Sequence, residues 1–272
     1  MSAPSDLELR VAVSDALGPV ARLDRAPSPD ASSADLFDVH VELVDGRRTH
    51  LLLKASGRDT PRESRFYRQV LTATPDTPRL LAMGGDWLLL RTVPGVPLWQ
   101  AAGVGAWQAA AALLARIHQR LRTAADDVGP ATGTSYAAQF ERALAREPRT
   151  GTLAAQYDAA VAALGSLPQT VIHGEAFASN FVVGDDGQTC LVDWETAGRG
   201  CGLTDLAALV AGWDGATRRS IAAAYGGDLT HLAAARLVVA VRWLGEPPPS
   251  AGAGGGLSRH TDWWAEAQGR HG

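Results

Sequence analysis

The chain has 272 residues, 46% of them hydrophobic and 20% charged, and a formal net charge of −4. That composition suits one large or two packed globular units and excludes a disordered tail protein or a collagen-like chain. No apolar run is long enough to span a membrane, and no basic cluster or basic amphipathic stretch points to nucleic acid or a membrane surface as a partner.

In chain order, the opening MSAPSDLELR carries no basic flank ahead of an apolar segment, so no secretory leader is legible and a cytoplasmic protein is expected. Residues 5–16 have helical spacing, with Ser5 as N-cap and Gly18 as terminator. Strand signals follow near 19–25, over 35–44 (DLFDVHVELV) and over 49–54 (THLLLK), the last two joined by a turn at Asp45-Gly46. Thr60-Pro61 opens a helix over 61–73, with Pro61 at its first position and Glu63 in its first turn. Strands at 79–83 and 87–91 flank Gly84-Gly85, and Pro94-Gly95 marks a hinge.

Downstream the chain turns Ala/Leu/Arg-rich, predicting helices over 105–122, 134–146, 151–165, 203–212, 215–225 and 229–244. Short β runs within 169–193 interrupt them; 247–257 reads as a loop and 259–269 as a short terminal helix or packed tail. Cys190 and Cys201 are too few for a disulfide framework and read as buried thiols. A small β-rich half followed by a large helical half predicts an α+β protein in two lobes, residues 1–92 and 93–272.

Of the 25 basic residues only Lys54 is a lysine, and it falls on the second arm of the hairpin. A lysine is a compact point charge suited to phosphate oxygens, where an arginine is a wide planar fork. A second concentration of chemistry lies at 173–180 (HGEAFASN) and 191–195 (LVDWE), where Glu175, Asn180 and Asp193 follow one another around short strands. Phosphoryl transfer needs such a set: one carboxylate to orient the attacking hydroxyl, and an amide with a second carboxylate to hold Mg²⁺ against the phosphates. The same groups also suit an ordinary polar loop.

HGE-x4-N, a strand ending in Asp-Trp-Glu, and then GLTDLA resemble the signature of the aminoglycoside phosphotransferase and choline kinase-like family, in an HGE-type bacterial branch. Lys54 on a hairpin strand, Glu63 in a following helix and a hinge-like WLLLRTVPG agree in order, and the resemblance runs from about residue 35 to 244. It implies a bilobal protein-kinase-like fold, with a nucleotide-binding N-terminal lobe and a C-terminal lobe carrying the catalytic loop and substrate site. It further implies ATP or GTP with Mg²⁺ as cofactors and a small-molecule hydroxyl as acceptor. Carried over residue by residue, Lys54 contacts the α/β-phosphates and Glu63 holds it by an ion pair. Glu175 takes the position of the catalytic base, Asn180 and Asp193 bind Mg²⁺, and Asp205 accepts N–H bonds from the 173–175 turn. His173 braces the loop, and Trp194 packs.

Three departures bear on the activity. Glu175 stands where the family pattern has aspartate, one methylene longer. The phosphate-covering segment 26–35 has no glycine, leaving Ser32 and Ser33 as donors to the nucleotide, and Arg91 replaces the usual acidic residue of the hinge. As for the acceptor, 121–150 holds four arginines against four acids and 212–272 six against five, so no carboxylate excess awaits a polycation. Trp213, Tyr225, Trp243, Trp263 and Trp264 would suit an amphiphilic or aromatic ligand, with core packing the expected use of most of them. These features point to a neutral or amphiphilic acceptor rather than a polycationic aminoglycoside. The alternative is a kinase-like protein of little or no turnover that binds a peptide or protein partner.

Overall fold

The computed structural model describes residues 3–28, 35–55, 63–64, 66–71, 74, 76–131, 135–246 and 261–269. The chain divides into two compact units, Met1–Pro94 and Gly95–Gly272.

The first unit opens with helix α1, Asp6–Leu17, fixed at its start by a reciprocal capping box: Glu8 N–H donates to Ser5 Oγ, and Ser5 N–H to the Glu8 carboxylate. Strands β1 (Val20–Pro27), β2 (Asp35–Leu43), β3 (Arg48–Ala55), β4 (Leu80–Met83) and β5 (Trp87–Arg91) form an antiparallel sheet in the order β1-β2-β3-β5-β4. The β2–β3 turn is the expected Asp45-Gly46, with Gly46 at φ +85. Alternation along the strands buries Val39, Val41, Leu43, Leu51, Leu53 and Leu89 against Leu9 and Val13 of α1. Each such side chain contributes about 1.5–3 kcal/mol by leaving water. The same period of two turns Lys54 to the opposite face of the sheet, in register with Leu36 on β2 and Leu88 on β5.

The segment expected as a regular helix over 61–73 departs from that expectation. Glu63, Ser64 and Phe66 are helical, but Tyr67–Leu71 winds into a π-helical turn; Pro61 lies outside the described residues.

The second unit is mostly helical: α2 (Val104–Arg120), α3 (Tyr136–Arg146), α4 (Ala154–Ser166), α5 (Gly202–Leu209), α6 (Gly215–Tyr225), α7 (Leu232–Leu244) and the short α8 (Trp263–Ala267). The hub is α7, which packs on α3, α4, α5 and α8 and buries Ala235, Val238, Val239, Ala240 and Val241. A three-stranded sheet of β6 (Val96–Pro97), β8 (Phe181–Val183) and β9 (Thr189–Leu191) accompanies a two-stranded pair of β7 (Thr170–Ile172) and β10 (Gly198–Gly200).

Strand β10 was not anticipated: GRG has no strand propensity, and it is held by its antiparallel partner β7 rather than by local pattern. Cys201 is buried as expected, whereas Cys190, on the two-sided hairpin strand β9, is only half-buried. The loop predicted at 247–257 lies outside the described residues.

Candidate active site

In the first unit, Lys54 Nζ meets Glu63 Oε2 at 2.8 Å, with the two side chains only 8% and 1% exposed. Burying two opposite charges seldom stabilises a fold beyond what apolar packing would, so this pairing is weak evidence for a purely stabilising role. Ser32 and Ser33, the expected donors to phosphate, lie outside the described residues.

In the second unit, β7 delivers His173-Gly174-Glu175 into a loop governed by Asp205, from the first turn of α5. Its carboxylate accepts His173 N–H at 2.7 Å and Gly174 N–H at 2.9 Å, and also meets His118 Nε2 at 3.0 Å. The third N–H of the turn departs from expectation: Glu175 N–H donates to His173 Nδ1 at 3.3 Å, not to Asp205. Burial alone would raise the Asp205 carboxyl, but the bonds from His118 and His173 outweigh it and hold the group below the ordinary carboxylate range. Gly174 sits at φ +87, and a Cβ there would lie 3.0 Å from the Thr196 carbonyl and hydroxyl oxygens, so glycine is required twice over.

His173 is fully buried. Its Nε2 lies 2.8 Å from the Val192 carbonyl, which assigns the proton to that nitrogen, and its ring sits edge-on to Trp194 at 4.9 Å. Trp194 packs, with its indole N–H on the Leu191 carbonyl at 3.0 Å.

The β8–β9 hairpin brings residues thirteen apart together. Phe181 pairs with Leu191, and Val192 N–H donates to the Asn180 carbonyl at 2.8 Å, so the register carries Asn180 and Asp193 to one end of the hairpin. Asn180 Nδ2 donates to the Glu175 carbonyl at 2.7 Å, which turns Oδ1 the other way. Asp193 is exposed and held at φ +66, a left-handed conformation costly for a non-glycine residue and typical of functional positions. An amide oxygen and a carboxylate are hard donors that fit Mg²⁺.

Glu175 itself is 29% exposed and bound by Arg242 from the last turn of α7: Nη2 reaches Oε1 at 2.6 Å, and Nη1 reaches the Gly174 carbonyl at 2.6 Å. Burial raises the Glu175 carboxyl above its ordinary range. The charge of Arg242 opposes that rise, and those of Asp193, Glu195 and Glu246 add to it. Two residues on, Phe177 stands edge-on to Trp243 at 4.9 Å and to Trp263 at 6.0 Å.

A family model described as the phosphotransferase enzyme family matches residues 37–238. The chain belongs to that family. Among solved structures, an aminoglycoside phosphotransferase from Streptomyces rimosus is similar at 20% identity, covering 90% of this chain and 100% of its own, with a TM-score of 0.56. A macrolide 2'-phosphotransferase from Brachybacterium faecium is 18% identical over 87% of this chain and 91% of its own, with a TM-score of 0.59. A choline kinase from Streptococcus pneumoniae is 12% identical over 98% and 99%, also at 0.59. The fold is thus bilobal, α+β and protein-kinase-like. No curated protein sequence matches significantly.

Within this phosphotransferase-family chain, sequence reasoning missed Arg242, His118 and Tyr225 as loop supports. His118 left a trace: it continues the apolar face of Leu114 and Ile117 on α2 and is 5% exposed, as a core histidine with a fixed partner should be. That partnership extends outward, since His118 Nδ1 lies 2.8 Å from the Tyr225 hydroxyl. Of the five aromatic residues named as acceptor candidates, only Trp243 and Trp263 come to the loop. Trp213 packs edge-on to Trp107, Tyr225 serves His118, and Trp264 lies under the Arg149 guanidinium.

Proposed function

We propose that this phosphotransferase-family chain transfers the γ-phosphoryl group of ATP, or of GTP, to the hydroxyl of a neutral or amphiphilic small molecule. The observation that carries the reading is the state of Glu175: one carboxylate oxygen is clamped, while Oε2 has no hydrogen-bond partner among the described residues and belongs to a part-exposed side chain.

In this reading Oε2 accepts the acceptor hydroxyl's proton as that oxygen bonds to phosphorus and the bond from phosphorus to the β-phosphate oxygen breaks. Lys54 neutralises phosphate charge, and Glu63 keeps its ammonium aimed. Asn180 Oδ1 and the Asp193 carboxylate are the ligands for Mg²⁺, which when bound neutralises charge on the transferring phosphates.

Two features favour a neutral or amphiphilic acceptor. Phe177, Trp243 and Trp263 form an aromatic cluster beginning two residues from Glu175. Two of the carboxylates at this end of α7 are matched by an arginine, Glu175 by Arg242 at 2.6 Å and Glu246 by Arg142 at 3.8 Å, which lowers the negative charge offered to a polycation.

Thermal unfolding with Mg²⁺·ATP or Mg²⁺·GTP tests the reading, because a ligand of the native state alone must raise the midpoint. A Mg²⁺-dependent rise is expected in the wild type and is lost in Lys54→Ala and Asp193→Ala. No rise at millimolar nucleotide overturns it in favour of a kinase-like protein that binds a peptide or protein.

A further inference from the structure

Glu175 departs from the aspartate of its family's pattern, and a longer carboxylate has one more torsion to fix before it can aim at a hydroxyl. A misplacement of about 1 Å in such a group costs about 10²-fold in rate, so something other than the short loop must set its direction.

Resting on the phosphotransferase reading, we propose that Arg242 is the positioning residue for Glu175: it clamps Oε1 so that Oε2 alone is presented to the acceptor hydroxyl, and the two side chains are matched in length.

The guanidinium is placed for this task by a rigid element. Helix α7 is buried on several sides by α3, α4, α5 and α8, and the residues just ahead of Arg242, Ala240 and Val241, are fully buried. The Arg242 side chain is 16% exposed, and its guanidinium carbon lies 5.7 Å from the Trp243 ring centroid, which limits where the fork can swing. Its two nitrogens divide the work, one on the Gly174 carbonyl and one on Glu175, both at 2.6 Å.

Gly174 is thereby held at both polar groups by side chains from different helices, its N–H by Asp205 of α5 and its carbonyl by Arg242 of α7. The peptide that launches Glu175 and the carboxylate that ends it are therefore referred to one guanidinium. Charge-assisted bonds of this length are strong and directional. An aspartate at 175 falls short by one methylene, opening the 2.6 Å contact to about 4 Å, beyond hydrogen-bond reach. A lysine at 242 offers a point charge, with no planar fork to span the carbonyl and the carboxylate together.

The test is a double-mutant cycle of Glu175→Asp and Arg242→Ala, with Arg242→Lys beside it, read in two ways. Urea unfolding needs no activity: the singles should be non-additive, and additive effects overturn the pairing outright. Mg²⁺·ATP hydrolysis, with water as acceptor, then separates positioning from mere support. Each single should lower kcat about 10–100-fold while the KM for ATP and the nucleotide-induced rise in midpoint stay at wild-type values, and the double should be no worse than the poorer single. Millimolar guanidinium should restore part of the Arg242→Ala rate and none of the double variant's. A kcat unmoved by Arg242→Ala, or a fall in kcat accompanied by loss of the nucleotide-induced rise, overturns the positioning role. Failure of the underlying reading shows differently, as a wild type whose midpoint ignores Mg²⁺·ATP.

Discussion

Asp205 supports the His173–Glu175 loop with both of its oxygens. It is 1% exposed, and its two oxygens take two backbone N–H groups and one imidazole. Asp205→Asn places an amide donor among donors and should cost about 3 kcal/mol in urea unfolding at pH 7. Because the folded carboxyl lies below the ordinary range, the unfolded chain takes up the proton first as pH falls. The stabilisation is therefore complete above the ordinary aspartate value of about 3.9 and drains as pH drops from there towards the folded value. The gap between wild type and Asp205→Asn should accordingly narrow progressively below about pH 4. A gap that widens on acidification contradicts the assignment.

Helix α8, five residues long, is tied to its unit by one buried carboxylate as well as by apolar packing. Glu266 is 3% exposed; it accepts Gly212 N–H at 2.9 Å and meets Arg218 at 3.3 Å on α6 and Arg236 at 2.6 Å on α7. Burial lowers the Arg218 guanidinium, with Glu266 opposing that shift, so loss of the carboxylate leaves a poorly solvated cation behind. Glu266→Ala should cost about 3–5 kcal/mol by urea unfolding. It should also shift tryptophan emission to the red, since Trp263 of the same helix loses its seat on Phe177 and Trp243. An unshifted spectrum would mean that α8 is held by its apolar contacts instead. The β8–β9 hairpin works differently at this scale: its register carries Asn180 and Asp193 to the same end.

For the molecule as a whole, charge and aromatic placement argue in the same direction about the acceptor. The formal net charge of −4 is modest for 272 residues, and arginines accompany Glu175 and Glu246 beside the loop. In a panel at matched concentration, neutral or amphiphilic alcohols should exceed streptomycin and gentamicin in kcat/KM by about tenfold or more, or ~1.4 kcal/mol of transition-state stabilisation. The reverse ranking would place the acceptor among polycations. Among the described residues no helix is long and apolar enough to cross a bilayer.

Much of this was readable from short stretches of chain. A period of two places Lys54 on the face of β3 opposite α1, a serine and a glutamate three apart start α1, and HGE-x4-N with Asp-Trp-Glu marks the loop and hairpin, because strand faces, caps and tight turns depend on neighbours within a few residues. The supports of the loop were not readable. Arg242 is 67 residues from Glu175, His118 is 87 from Asp205 and Glu266 is 48 from Arg218, and no periodicity reports on such pairs. Each helix's composition limits which of its faces is buried, but the rotation and crossing of packed helices decide which side chains meet. That is why sequence yields the groups proposed to react, while only the packing of α2, α5 and α7 around β7 and its loop reveals what they are bonded to.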